Sequence, residues 1–445
     1  MFSPKLVMFK YIDMKILKSK NISPFGGINF VIEELDKKYL GNILNEKLPK
    51  LGPQSHYDWR DILYSYWSVF FCGGDCAEDL SGNFKPYLSQ SPKIKVPSPD
   101  RVLGRLKELS LPAKQFSTKR GKHLHQFAIN EDLTKLNLHI LNHLFDLTRN
   151  KVDLDYDNTV CFTEKQDAEY TYLRDNGYIP GVGLVGSKVV YVENRNGRSN
   201  AAILQHETLE RMFEHLKEKD IQVNRFRADS ASYSFETINI IDKYSDKFYV
   251  KARMSQGLAS TIASVEEWEP VGNKEDGIYR GETFYTPFER AAREHKVKKE
   301  DLKTYRFIVT KEKRRDGQIN AFTQEAYQYS VIVTNDEDSD LNEVVFYYNQ
   351  RGTAEKEFDV LKNDFGWNKL PFSTLEHNMV YLQIMAICRN LYHYIINEFS
   401  ERFKGLRPSF RIKKFIFRFI AIPSKWVRRS RQWHLRIYGD LPLKI

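Results

Sequence analysis

The stretch Tyr348 to Lys362, YNQRGTAEKEFDVLK, constrains this chain more than any other. Glu355, Lys356, Glu357, Leu361 and Lys362 are good helix formers, and Phe358, Leu361 and Phe365 supply a side to bury. At about 100° per residue, Tyr348, Arg351, Glu355 and Lys362 fall within roughly 60° of one another on a helical wheel. One helix face then carries a carboxylate flanked by an aromatic ring and two cations. A glutamate held beside an arginine and a lysine stays ionised, and those cations can grip phosphates next to whatever the glutamate binds. The plain alternative is a solvated helix laced with Glu and Lys pairs.

Two upstream segments place aspartates where strands end. In KVDLDYDNTVCF the period is two, with Val152, Leu154 and Tyr156 on one face and Asp153, Asp155 and Asp157 on the other. Three like charges on one strand face repel unless a cation or arginines neutralise them. Further on, the amphipathic helix AAILQHETLERMFEHLKEK leads into VNRFRADSASYS, a short strand ending in Asp229. A strand, a terminal aspartate and a turn form the crevice geometry of an α/β site; the plain alternative is Asp229 as the cap of the next helix.

The spacing Tyr348, Arg351, Glu355, Lys362 resembles the Tyr-x2-Arg-x3-Glu-x6-Lys signature of bacterial insertion-sequence transposases of the DDE class. The resemblance implies that Glu355 is the third catalytic acid. It favours Asp157, two residues before Thr159, as the first, with Asp155 in reserve, and Asp229 in its Arg-Ala-Asp-Ser segment as the second. Ala231 and Ser232 stand where such chains often carry glycine and an aromatic, a departure in the loop. The implied fold is α/β, a ribonuclease H-like mixed sheet with flanking helices, a β-rich insertion and a helical N-terminal domain. The implied chemistry is attack on a phosphodiester, hydrolysis at the element's end and then transfer into target DNA. Asp157, Asp229 and Glu355 would hold two Mg²⁺ ions, Mn²⁺ substituting, and Tyr348, Arg351 and Lys362 would grip DNA. A homodimer joining two element ends is implied as well. A nuclease of the same fold without strand transfer, and a decayed, non-catalytic DNA-binding repressor, are the alternatives.

Composition fits a polyanionic partner, with a net charge of +10 and a pI near 9.1. No uninterrupted apolar run reaches the length of a membrane span, and the N-terminus lacks a signal peptide's apolar core. Cys72, Cys76, Cys161 and Cys388 are too scattered for a disulfide framework, so a reducing cytoplasm is expected. Neither CGGDC nor the His139/His143 pair has the companions a zinc site needs. GVGLVG matches a dinucleotide fingerprint in letters only, since Pro180 precedes it and the strand-like KVVYVENR follows.

The expected divisions are residues 1–148, helical and DNA-binding; 149–254, the first part of the catalytic core; 255–335, the β insertion; 336–400, the second part; and 401–445, a basic tail. In the first, Pro99 to Leu109 reads as a helix capped by Ser98. Its Arg101 and Arg105 either enter a major groove or lie on a plain surface helix. Trp268, Tyr279 and Tyr285 in the insertion read as core rather than as stacking platforms for unpaired bases. From Arg402 to Arg436 there are twelve Lys or Arg, Arg428 and Arg429 among them, and no acid. Such a segment clamps DNA, or lies on an anionic membrane.

Overall fold

The computed structural model describes residues 19–118, 123–272, 277–320, 325–441 and Leu443. The basic lead over residues 1–18 lies outside them. The chain divides into two units, one comprising Met1–Glu108 with Tyr392–Ile445, the other Leu109–Leu391. The sequence had suggested a first boundary at 148. The difference arises because strand Leu124–Ala128 pairs with strand Lys188–Arg195, and helix Glu131–Phe145 packs its Leu138 and Leu141 into the core of the second unit.

The second unit is built on an eleven-stranded mixed sheet. Next to its middle lies strand Val152–Asn158, which pairs in parallel with the central strand, Val223–Ala228, on one side and antiparallel with Gly181–Val185 on the other. Helix Gln205–Lys217 leads into Val223–Ala228, and helix Phe235–Tyr244 connects that strand to its second parallel neighbour, Ser245–Lys251. Parallel partners need such crossovers, and helices with one buried side supply them. Leu209, Met212, Phe213 and Leu216 of the first helix and Ile238 and Ile241 of the second are buried against Leu154, Phe226 and Phe248. This is the α/β mixed sheet with flanking helices that the sequence implied.

The insertion does not stand apart. Tyr327–Thr334 pairs antiparallel with Ser245–Lys251, followed outward by Tyr305–Lys313, Ile278–Tyr285 and Glu269–Pro270. An open sheet edge offers unpaired N–H and C=O groups, and the insertion's strands satisfy them. Trp268 and Tyr285 pack against the core, as the core reading expected, and Lys311 sits 3.8 Å from the Trp268 ring centre. The glycines of GVGLVG lie in strand Gly181–Val185 and the turn that follows. A Cβ at Gly183 would come within 2.6 Å of the Met212 sulfur, so close helix packing is what Gly183 serves.

In the first unit, Trp59–Phe71 and Pro99–Lys107 are helices, capped by Asp58 and Ser98. The region read as a basic tail is folded. Phe415 and Phe419 are buried and pack with Phe399 and Phe403, while Ser424–Arg429 and Gln432–Ile437 form a hairpin. Buried Glu34 accepts hydrogen bonds from Tyr394 Oη (2.9 Å) and Arg402 Nη1 (2.6 Å), tying the two ends of the chain to one another. The aromatics between the cations therefore serve a core, which a count of charge could not reveal. Among the described residues no helix is long and apolar enough to cross a membrane.

Candidate active site

The signature stretch is not the single helix its composition suggested. Helix Leu341–Asn349 ends in a 3₁₀ turn, Gln350–Gly352, before helix Thr353–Asp364 begins. Gly352 inside a helix costs about 1 kcal/mol relative to alanine, and the tighter turn absorbs it. Tyr348 thus closes one helix, Arg351 sits in the turn and Glu355 in the first turn of the next. Leu341, Val344, Val345 and Tyr348 are buried against Tyr249, Ile308 and Ile332, which fixes the first of these helices on the sheet.

Facing that helix is a ladder of charges. The parallel register sets Asp153 beside Arg225 and Asp155 beside Arg227. Arg225 Nε donates to Asp153 Oδ1 at 3.0 Å, and Arg227 holds both oxygens of Asp155, at 2.6 and 2.7 Å. Continuing two residues along each strand brings Asp157 level with Asp229, so the third rung has two acids where the others pair an acid with an arginine. Arg351 supplies the missing cation, its Nη1 donating to Asp157 Oδ2 at 2.8 Å. Burial and the Asp229 charge raise the Asp157 carboxyl above its ordinary value, while Arg351 acts the other way. Burial, opposed by Asp157 and Asp229 among others, acts on Arg351, and the guanidinium stays above its ordinary value.

The arginine rungs also orient the signature. Arg227 Nη1 donates to the Tyr347 carbonyl at 2.6 Å, and the guanidinium carbons of Arg225 and Arg227 lie 4.0 and 4.3 Å from the Tyr347 ring centre. A cation on a carbonyl of a helix's last turn is favourably placed. Tyr348 Oη donates to the Ala228 carbonyl at 3.4 Å, and burial pushes its phenol up to about 12.

The aspartates are themselves held. Asp157 Oδ1 accepts the Asn158 N–H at 2.9 Å, and Asp229 Oδ1 accepts the Ala231 N–H at 2.9 Å. Asp229 is therefore a cap and a candidate ligand at once, the cap fixing how its carboxylate is turned. Asp155 differs. It is 3 % exposed and both its oxygens are occupied by Arg227, so it belongs to the support of the site.

The geometry brings together Asp157, Asp229, Arg351 and Tyr348. Lys362 is half-buried and within electrostatic reach of Cys161, just past Asp157. Glu355 is exposed, and the three acids do not have their oxygens within 4.8 Å of one another; Asp75, Cys76 and Asp79, in the other unit, are the one such trio among the described residues. Two ions about 3.5–4 Å apart, each with bonds near 2.1 Å, spread their ligands over more than that distance. Two facing carboxylates, both half-buried, are hard oxygen donors that suit a divalent cation. Arg101 is exposed, Arg105 is engaged by Glu108 at 2.6 Å, and Arg428 and Arg429 are exposed.

Sequence reasoning missed Arg225 and Arg227, although the alternation Arg-x-Arg-x-Asp opposite Asp-x-Asp-x-Asp was there to be read. It also missed Tyr172, 62 % exposed, whose phenol is pushed up by partial burial and by the charges of Asp157 and Asp229.

Residues 103–444 match a family model described as transposase DDE domain, group 1. The chain belongs to this family. A comparison with curated proteins finds no significant match. Among solved structures the transposase is similar to a piggyBac transposase synaptic complex with hairpin DNA, at 13 % identity over 88 % of this chain and 77 % of that one, with a TM-score of 0.41. It is also similar to a Mos1 transposase paired-end complex, at 14 % identity over 47 % of this chain and 64 % of that one, with a TM-score of 0.17.

Without Arg351 the third rung of this transposase has two carboxylates and no cation. Arg351→Ala is expected to lower metal-free stability by about 1–3 kcal/mol in urea unfolding. A divalent cation at millimolar concentration is expected to recover more of the midpoint in the variant than in the parent, since an added positive charge would stand in for the lost one.

Proposed function

We propose that this transposase cuts DNA at the ends of an insertion sequence and joins the freed 3′ ends to target DNA. Asp157, Asp229 and Glu355 carry the chemistry. The observation that supports this most is the third rung, where two strand-end aspartates face each other beneath an arginine from the signature. Divalent ions, Mg²⁺ in the cell with Mn²⁺ able to replace it, supply an activated nucleophile and a stabilised leaving oxygen when bound. Asp157 and Asp229 present fixed oxygens for them, turned by the Asn158 and Ala231 amides. Glu355, one turn past Arg351, completes the set from the helix.

The cations handle the substrate. Arg351 and Lys362 hold phosphates beside the acids, and Tyr348 packs under the strand end and positions Arg351. Arg101 and Arg105 of helix Pro99–Lys107, together with Arg428 and Arg429, bind duplex at terminal inverted repeats and target. The working form is a homodimer holding two ends, in the cytoplasm on the nucleoid.

The test is an end-bearing duplex mixed with a supercoiled plasmid in Mg²⁺. Cleavage followed by joined product, both stopped by chelation, is the expected result. Nicks without joining select a nuclease, and binding without cleavage selects a repressor.

A further inference from the structure

The hairpin Ser424–Ile437 is anchored at one end and free at the other. Ser424 exchanges backbone hydrogen bonds with Ser23, both at 2.8 Å, and Trp426 Nε1 donates to Asn29 Oδ1 at 3.1 Å. Residues directly opposite one another share a face, so Trp426 and Leu435 look one way while Lys425 with Arg436, Val427 with His434 and Arg429 with Gln432 look the other. That second face sets two cations directly opposite each other, a destabilising pair in an isolated sheet. The segment contains no acid, and none of Lys425, Arg429, Arg431 and Arg436 has an ion-pair partner among the described residues. Toward the turn, Arg428 to His434 are all exposed. The turn residues Ser430 and Arg431 have φ of 48° and 64°, the left-handed conformation that favours glycine, so Arg431 is held there at a cost.

We propose that this hairpin enters the major groove of duplex DNA turn first, its Lys425 and Arg436 tracking phosphates and Arg429 and Gln432 meeting base edges. A major groove about 12 Å wide admits a two-stranded ribbon, whereas a minor groove about 6 Å wide does not. An arginine matches the O6 and N7 acceptors of guanine, and a glutamine matches N6 and N7 of adenine. Phosphates remove the repulsion between Lys425 and Arg436. The inference rests on duplex DNA being the partner and adds which groove is read and by what.

The full-length protein and labelled 30-base-pair duplexes provide the test, by anisotropy over a salt series and by dimethyl sulfate protection of guanine N7. Changing Lys425, Arg429 and Arg436 together to Gln is expected to lower the salt slope by about two to three and to remove the N7 protection the parent gives. Arg431→Gly is expected to keep or raise thermal stability while weakening binding about five-fold or more, separating contact from folding. A parent that binds duplex without N7 protection, or a triple variant with an unchanged slope, overturns the inference and leaves the proposed activity standing. Ribbon-dependent binding to anionic vesicles in place of duplex overturns it too. A parent that binds no duplex at all removes the proposed function itself.

Discussion

Asp157→Asn, Asp229→Asn and Glu355→Gln are each expected to abolish Mg²⁺-dependent cleavage, by about a thousandfold or more, without lowering thermal stability. The rate follows from losing an anionic ligand where ions supply several kcal/mol of charge stabilisation. The stability follows from the geometry. Asparagine at 157 keeps one oxygen, for Arg351 or for the Asn158 amide, and removal of the repulsion from Asp229 offsets the bond given up. Asparagine at 229 still caps the following turn through its Oδ1. Glutamine at 355 replaces an exposed side chain. Asp155→Asn should do the opposite, weakening the fold by about 3 kcal/mol because Arg227 is left buried without its carboxylate, with cleavage by the folded fraction within a few-fold of the parent. Cleavage timed on an end-bearing duplex, beside thermal unfolding, reads both quantities. Retention of activity in any one amide variant removes that acid from the site, and an Asp155 variant that is stable but inert exchanges its role with Asp157.

The contrast between these two aspartates marks how far the sequence could be read. Period-two alternation located strand Val152–Asn158 and put three acids on one face, and helix periodicity located Gln205–Lys217 and Pro99–Lys107. Alternation alone is silent on which acid is free, because that depends on the neighbouring strand. Only the parallel register with Val223–Ala228 shows that Arg225 and Arg227 occupy two rungs and leave the third to Asp157 and Asp229. The signature was legible as residues at a spacing but not as one helix, since the break at Gln350–Gly352 comes from a local trade between Gly352 and the packing of Tyr348. The cationic C-terminal segment was legible as charge but not as structure. Its Phe415 and Phe419 bury with Phe399 and Phe403, contacts that local pattern does not encode.

Arg227 carries the second large effect. Arg227→Met leaves Asp155 buried with neither oxygen paired, and breaking a buried pair from one side costs about 3–5 kcal/mol. In a unit of this size that lowers the midpoint of thermal unfolding by roughly 5–8 °C. Adding Asp155→Leu to the same chain removes the stranded charge, and most of the stability is expected to return, since a buried pair exchanged for apolar groups of similar volume is often neutral. A double-mutant cycle on the midpoints therefore gives a coupling of about 2–3 kcal/mol. Activity should not return with it. Arg227 also holds the Tyr347 carbonyl, and that contact seats the helix whose continuation delivers Arg351 to Asp157. Losing it loosens the one cation on the acid rung while the sheet stays folded, so the double variant is expected to be stable and slow, about ten-fold or more below the parent. A double variant that recovers both stability and rate would mean that Arg227 serves the fold alone, and that the signature finds its place on the sheet without it.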